Sequence, residues 1–468
     1  MVTHEITFYL AAAALVVLTV ESCVKLLNRD SFSITLAVYV TVFGWYFVDP
    51  FINPEQYDYI PSFLISQSYG QVLLFLIGFR FFMPVAVHWI VQRRSTEAFA
   101  TQRFTPEQVL MAAGGIWLLL LFVGIARMNG DVIGALFPLD SRAGATMWGR
   151  GAIETSSTGF LIASAGYMFN AITAFLGVLI FFQRSAFWRF LAGAMFVIGL
   201  PYFLLEGARS HFLAVLLPFI ITYLFYGRQL LIIKFAVLAV AFVCLDQGFK
   251  FVTAFRGTGF RELLAAEHPY ELVDEDLRQS GLNMIQELCF ANAYIASGEA
   301  SPAYGGRYLN ELLNFIPRAI WPLKPLIGID YAKWRGLGDP NSELGVFATV
   351  STGMIGGGVL NFGPFFGPLA AGILMALWTA LLIRWWQQRK SLLRLVLFML
   401  GVGLTFNLGR DITLLVLWPV VFAYCFIRLI EIWTSKRFGP VPRTTTQQPR
   451  FAPANLQPVG ASPGRPRQ

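Results

Sequence analysis

Charge is scarce in this chain, and so are cysteine and histidine. Only 13% of the 468 residues are charged, about half the fraction that is usual in soluble domains. The four cysteines and four histidines have neither the pattern of a disulfide framework nor the spacing of metal ligands. P-loop, dinucleotide-binding, HExxH and GxSxG motifs do not occur. The sequence therefore predicts no metal site and no bound cofactor.

Long apolar runs fill most of the chain instead. Hydrophobic residues make up 56% of it and the mean hydropathy is +0.60. Runs of bilayer-spanning length recur, so we predict an all-α polytopic membrane protein with about 11 transmembrane helices. The net charge of +8 requires no nucleic acid, because membrane proteins sort their cations by side. The predicted spans are 6–24, 32–49, 69–91, 106–127, 158–182, 188–205, 211–227, 229–248, 364–386, 392–408 and 412–432.

Lysine and arginine are concentrated in alternate loops. The short loops on the other side contain few cations, namely Arg127, Arg142, Arg150, Arg209 and Arg410. Cytoplasmic loops are the ones enriched in Lys and Arg. The bias therefore predicts an N-terminus outside the membrane and a C-terminus in the cytoplasm.

This topology divides the chain into four parts. They are spans one to eight at 1–248, a large extracytoplasmic loop at 249–345, a glycine-rich segment with spans nine to eleven at 346–432, and a disordered cytoplasmic tail at 433–468. Within the loop we predict short amphipathic helices at 259–278, 280–297 and 306–315. The glycine-rich stretch 346–367 either packs closely against other helices through its small residues or re-enters the membrane beside a cavity.

A stiff, cationic run lies in the large loop at Phe315–Pro325. Its three prolines fix backbone angles and remove amide donors, so the run is neither helix nor strand. Arg318 and Lys324 are carried on it. The run is either a turn that packs against the membrane or a rigid cationic clamp for a phosphate or pyrophosphate.

Charged residues also occupy tight turns between predicted spans on the extracytoplasmic side. Glu206 and His211 flank the turn between the sixth and seventh spans, and Arg410 and Asp411 fill the turn between the tenth and eleventh. Glu206–Arg209 and Arg410–Asp411 are either local ion pairs that solvate the turns or parts of a site. We predict that five cations from separate segments converge on one outer pocket: Arg209, Arg256, Arg318, Lys324 and Arg410. Several guanidinium forks can hold a pyrophosphate without a metal ion.

Arg80 is the main charge near the middle of a predicted span. An unpaired charge there is costly. Arg80 therefore either faces a polar cavity or lies on a helix that is set shallower in the membrane than 69–91 indicates.

The run Phe315–Pro325, the turn Gly207–Ser210 and one large outer loop late in the chain together resemble Wzy-type polymerases. These enzymes join oligosaccharide repeat units in O-antigen and exopolysaccharide assembly. The resemblance implies a membrane glycosyltransferase fold of the GT-C-like kind, in a bacterial inner membrane. It implies an undecaprenyl-pyrophosphate-linked glycan as donor and a second lipid-linked unit as acceptor, within membrane lipid. Chain-length regulators and export proteins are the protein partners that it implies.

These considerations give each candidate residue a role. Arg209, Arg256, Arg318 and Arg410 would bind the pyrophosphate with help from Lys324, and His211 or Glu206 would be the general base. Two alternatives remain open: a ligase that moves a finished polysaccharide to another acceptor, and a transporter or flippase of lipid-linked sugar. A structural scaffold in a polysaccharide assembly complex is a further alternative.

Overall fold

The protein is all-helical. The computed structural model describes residues 5–27, 33–92, 104–139, 146–148, 158–206, 209–254, 259–265, 283–313, 316, 320–321, 329–336, 351–410 and 414–438. Helix accounts for 83% of these residues, and they contain no strand. The α-helices are α1 (Ile6–Leu27), α2 (Ser33–Tyr46), α3 (Asp49–Ile52), α4 (Ser62–Val87), α5 (Pro106–Arg127), α6 (Val132–Leu136), α7 (Thr158–Leu179), α8 (Ala186–Leu205), α9 (Arg209–Tyr226), α10 (Leu231–Ala254), α11 (Phe260–Ala265), α12 (Met284–Ala296), α13 (Gly306–Leu312), α14 (Ile329–Trp334), α15 (Gly353–Gln387), α16 (Leu392–Arg410) and α17 (Leu414–Phe438).

Seven helices in the described part of the chain are long and apolar enough to cross a membrane. The spans are Ile6–Val24, Ile34–Ile52, Ser62–Val91, Pro106–Arg127, Ala186–Leu205, Gly353–Gln387 and Leu392–Arg410. They confirm a helical protein of membrane-embedded character. Helices also occur at the other four predicted spans, α7, α9, α10 and α17, but their apolar stretches are shorter. The total of eleven spans stays a prediction.

The third predicted span begins earlier than the sequence indicated. Helix α4 starts at Ser62, directly after Pro61, rather than at residue 69. Two amides lie near this start, Gln67 before the predicted span and Gln71 just inside it, and an amide is costly in lipid when it lacks a partner. In the structure both amides bind Asn292 of α12.

Helices α4 and α15 run side by side at very short range. A Cβ added to Gly372 of α15 would lie 2.8 Å from the Phe79 backbone nitrogen of α4. One turn earlier on α15, the Leu369 side chain fills the space that a Cβ on Gly78 would take. The glycines therefore allow the two backbones to meet, which is how small residues favour helix association in membranes.

Helix α15 folds back on itself at Gly363, where φ is +79° and ψ is 176°. A Cβ added to Gly358 would overlap the Gly367 carbonyl and lie 3.3 Å from the Ala371 side chain. In a straight helix those residues would be about 14 to 20 Å apart. Residues 353–362 and 364–387 thus form two packed arms, called here the α15 hairpin. The close packing predicted for the glycine-rich stretch is confirmed, and the chain also reverses there.

Two prolines in the α15 hairpin leave carbonyls without helical donors, and neighbouring segments supply the missing hydrogen bonds. Pro364 has no N–H for the Leu360 carbonyl, and Pro368 has none for the Pro364 carbonyl. Ala303 N–H donates to the first at 3.0 Å. The Gln71 amide donates to the second at 3.1 Å. The hairpin is therefore fixed to α4 and to the connection after α12.

The interval 249–345 contains short helices, as predicted, with different bounds. Helices α11, α12 and α13 fall within the three predicted segments, and α14 was not predicted. Helix α12 is largely buried against α4 and the α15 hairpin, where Asn292 exchanges amide hydrogen bonds with Gln71 at 2.8 Å in both directions. The Asn361 side chain accepts from the Arg307 and Tyr308 N–H groups and so caps α13 from the hairpin.

Candidate functional site

One end of the helix bundle gathers most of the described candidate residues. It is the end where α2 and α16 finish and where α4 and α9 begin, called here the Arg410 face. Trp45 near the end of α2 donates to the Phe406 carbonyl of α16 at 2.7 Å. Asn407 of α16 donates to the Ser210 carbonyl of α9 at 2.9 Å. These bonds place the ends of α2 and α16 beside the start of α9.

Glu206 and His211 meet across the turn between α8 and α9. Helix α8 ends at Leu205, and His211 lies in the first turn of α9. His211 Nδ1 lies 3.1 Å from Glu206 Oε2. The histidine side chain is 40% exposed and the glutamate side chain 16%. The pair can therefore exchange protons with a bound substrate while Glu206 orients the imidazole.

Buried amides fix the first turn of α9. Asn170 of α7 donates to the His211 carbonyl at 3.0 Å, as Asn407 does to the preceding carbonyl. Both amides are about 3% exposed. The edge of the Tyr167 ring packs on the imidazole, with 6.2 Å between the ring centroids. Because α7 and α16 both hold this turn, the His211 ring has a defined position.

Arg410 ends α16 one helical turn beyond Asn407. Its Nε donates to Ser351 Oγ at 3.0 Å, which ties the start of the α15 hairpin to the same face. A cation at the C-terminal end of a helix is favoured by the helix dipole. The face thus carries a carboxylate, an imidazole and a guanidinium on three helix ends.

The structure brings together some of the predicted site residues. Glu206 and His211 are in contact, and Arg410 lies on the same face. Arg209 begins α9, but only its backbone is described. Arg256, Arg318 and Lys324 lie outside the described residues, so the convergence of five cations stays a prediction. Within the described part of the chain, no group of three or more His, Cys, Asp or Glu residues could hold a metal ion.

The sequence analysis did not identify the residues that position the first turn of α9. Asn170 and Asn407 stand in apolar helices, and an amide in such a helix is the signal that could have found them. Asn170 Oδ1 is buried and has no hydrogen-bond partner among the described residues. Asn170 Oδ1 is therefore a buried hydrogen-bond acceptor next to the His211 backbone.

Arg80 does not lie on the Arg410 face. It lies 18 residues after the start of α4, or about 27 Å along the helix. Its guanidinium lies 3.0 Å from Glu21 of α1. The sequence did not predict this partner, and the two interpretations that it left open, a polar cavity or a shallower helix, both stay predictions.

A second charged cluster lies in the large loop, where α14 packs on α12. Glu287 of α12 is almost fully buried. It accepts a 2.6 Å hydrogen bond from the Tyr331 hydroxyl and pairs with Arg335 at 3.2 Å. Burial raises the pKa of the Glu287 carboxyl, and the Arg335 guanidinium opposes that rise. This cluster, called here the α12 clasp, fastens α14 to α12.

The fold and the Arg410 face together define a helical membrane protein with a polar site at one end of its bundle. Comparison of the chain with protein-family models, with curated proteins and with solved structures finds no match.

Proposed function

We propose that this protein is a membrane glycosyltransferase that polymerises oligosaccharide repeat units carried on a polyprenyl pyrophosphate. The observation that supports it best is the Glu206–His211 pair, 3.1 Å apart, on the same helix-end face as Arg410. A base beside a fixed cation is what glycosyl transfer from a pyrophosphate requires. In this proposal the Arg410 face lies outside the cytoplasm of a bacterial inner membrane, with the N-terminus outside and the C-terminus inside.

The reaction joins two lipid-linked glycans. The acceptor hydroxyl oxygen attacks the anomeric carbon of the donor and forms the new glycosidic bond. The bond from that carbon to the pyrophosphate oxygen breaks, and the polyprenyl pyrophosphate leaves with the electron pair. The hydroxyl proton passes to His211, whose imidazolium is stabilised by Glu206. No nucleotide is consumed, because the donor is already activated.

Cations stabilise the leaving group. Negative charge develops on the pyrophosphate oxygen as the bond breaks, and fixed guanidinium donors are most effective where charge develops. Arg410 is held by Ser351 and is the described member of the proposed set. Arg209, Arg256, Arg318 and Lys324 complete the set in this proposal.

The test is the carbohydrate chain-length pattern of a deletion strain rescued by variants. We expect the deletion to remove long polysaccharide and to leave single repeat units on the carrier lipid. Wild type should restore long chains, whereas His211→Asn, Arg318→Ala and Arg410→Ala should each lower polymer formation by about 100-fold or more. Glu206→Gln should give a smaller loss, because it removes only the partner of the base.

Arg389→Ala is the matched control. Arg389 follows the far end of α15 and contacts Trp386, so its loss should leave the polymer unchanged. Protein amounts are compared by immunoblot. Normal polysaccharide in the deletion strain overturns the proposal, and full-length chains left on the carrier lipid would indicate a ligase instead. Wild-type chain lengths from the His211→Asn variant would remove the assigned base.

A further inference from the structure

An aromatic surface where the segment between α3 and α4 meets α12 has a geometry that the proposed reaction does not use. Tyr59 follows α3 and is 62% exposed, yet its hydroxyl accepts a 2.5 Å hydrogen bond from the Gln286 amide of α12. Asn283 donates to the other end of that amide at 3.1 Å, which orients it. The Tyr59 ring stacks on Phe290 with centroids 6.5 Å apart and planes inclined by 27°. An exposed ring is thus held in one orientation.

A guanidinium lies against the same aromatic pair. The Arg335 guanidinium carbon is 3.7 Å from the centroid of the Phe290 ring. Its Nη2 donates to Glu287 at 3.3 Å, so the α12 clasp holds it over the ring. The surface combines the exposed Tyr59 ring, the adjoining Phe290 ring and one guanidinium whose charge is balanced by Glu287. The Gln286 amide is buried and serves to position Tyr59.

We propose that Tyr59, Phe290 and Arg335 form a binding surface for the oligosaccharide part of a glycan. A pyranose ring presents C–H groups on its face and hydroxyl groups around its rim. The electron-rich face of an aromatic ring attracts the polarised C–H groups, and a guanidinium group hydrogen-bonds the hydroxyls. A hydrocarbon chain would match this surface poorly, because polar groups interrupt its apolar area.

The surface lies a short distance from the Arg410 face. Ser351, which binds Arg410, stands two residues before Gly353, and a Cβ on Gly353 would lie 3.4 Å from the Met284 side chain at the start of α12. Phe290 follows within two turns of the same helix. The path from Arg410 to Phe290 is therefore no longer than about 20 to 25 Å. A short oligosaccharide can span that length, so the inference rests on the proposed function and assigns the surface to the acceptor glycan.

The experiment measures glycan binding without polymerisation. The full chain is purified in lipid nanodiscs, and the probe is the soluble oligosaccharide released by partial hydrolysis of the polysaccharide of the source cells. Saturation-transfer NMR reports contact, and titration gives Kd. We expect Tyr59→Ala to raise Kd about tenfold, the effect of losing one stacked ring. Tyr59→Phe keeps the ring and should stay within about threefold of wild type.

Tyr304→Ala is the matched control. Tyr304 lies in the interval 249–345, is 87% exposed and is outside the proposed surface. Its Kd should equal that of wild type. Equal Kd values for Tyr59→Ala and wild type overturn the surface, even if the deletion strain lacks polymer. If the deletion strain makes normal polymer while Tyr59→Ala still weakens binding, the surface stands and the polymerase assignment fails.

Discussion

Two carboxylates in this protein meet a basic partner at nearly the same distance but in different surroundings. Glu206 lies 3.1 Å from His211 on the Arg410 face, and Glu287 lies 3.2 Å from Arg335 in the α12 clasp. The exposed fractions of the side chains are 40% for His211 and 16% for Glu206, but 24% for Arg335 and 3% for Glu287. Distance alone therefore does not separate a candidate site from a structural contact. The accessibility of both side chains does.

The two pairs also differ in whether they can exchange a proton. An imidazole near neutral pH can take or give a proton, whereas a guanidinium keeps its proton. The Glu206–His211 pair can thus transfer a proton, whereas the Glu287–Arg335 pair holds α14 to α12. The following perturbations test the two pairs and the packing around them, in order from the largest expected effect to the smallest.

The largest effect should follow from breaking the α15 hairpin, on which α12 and its clasp are packed. Gly358→Val places a branched side chain where the Gly367 backbone lies, so the arms must separate. We expect loss of folded protein, or a destabilisation above about 3 kcal/mol. Thermal unfolding followed by size-exclusion chromatography in detergent measures it.

Gly70→Ala is the control for that substitution. Gly70 lies within α4, and a Cβ there would have nothing within 4 Å. Alanine should be neutral or should stabilise by up to about 1 kcal/mol. An unchanged unfolding midpoint for Gly358→Val would refute the packing of the two arms.

A smaller effect is expected from Glu287→Ala. It leaves the Tyr331 hydroxyl and the Arg335 guanidinium without their acceptor, at a cost of about 3 kcal/mol. Glu206→Ala should cost no more than about 1 kcal/mol, because its partner is accessible to water. Paired thermal denaturation curves measure both. Equal losses would show that burial does not distinguish the two pairs.

The double variant Glu287→Met with Arg335→Met sharpens that test. Removing both charges leaves no unpaired ion, so part of the lost stability should return. A double variant no more stable than Glu287→Ala would contradict an ion-pair role for the clasp.

The smallest effect concerns pH. Burial raises the pKa of Glu287 above its ordinary value of 4.5, so the folded state binds the proton more tightly than the unfolded chain does. This contribution to stability is full below pH 4.5 and declines as the pH rises through the folded pKa. Wild type should lose stability relative to Glu287→Gln over that interval. If the unfolding midpoints of wild type and Glu287→Gln changed in parallel with pH, this contribution of Glu287 would be excluded.

Much of the helical framework was predictable, because bilayer-length apolar runs indicate helices whatever surrounds them. The turn that carries Glu206 and His211 was also predictable, since few residues separate the two spans, but the ion pair expected there was Glu206–Arg209. The start of α4 was not, because Gln67 looks like a loop residue until Asn292 is placed beside it.

The remaining features depend on contacts between distant parts of the chain. Glycines marked the α15 hairpin, but composition cannot say that the chain reverses at Gly363. Glu287 and Arg335 are 48 residues apart, and nothing in either local sequence pairs them. Asn170 and Asn407 position His211 from separate helices. An amide within an apolar helix predicts that a hydrogen-bond partner exists, but not which residue it is.

The buried amide of Gln71 has a consequence for biosynthesis. Its partners, Asn292 and the Pro364 carbonyl, follow it by 221 and 293 residues. At ordinary rates of translation the ribosome reaches them roughly 10 to 60 s after α4 has been made. During that time α4 carries an unsatisfied amide, so it must wait in the insertion machinery or beside earlier helices before it can take its final place.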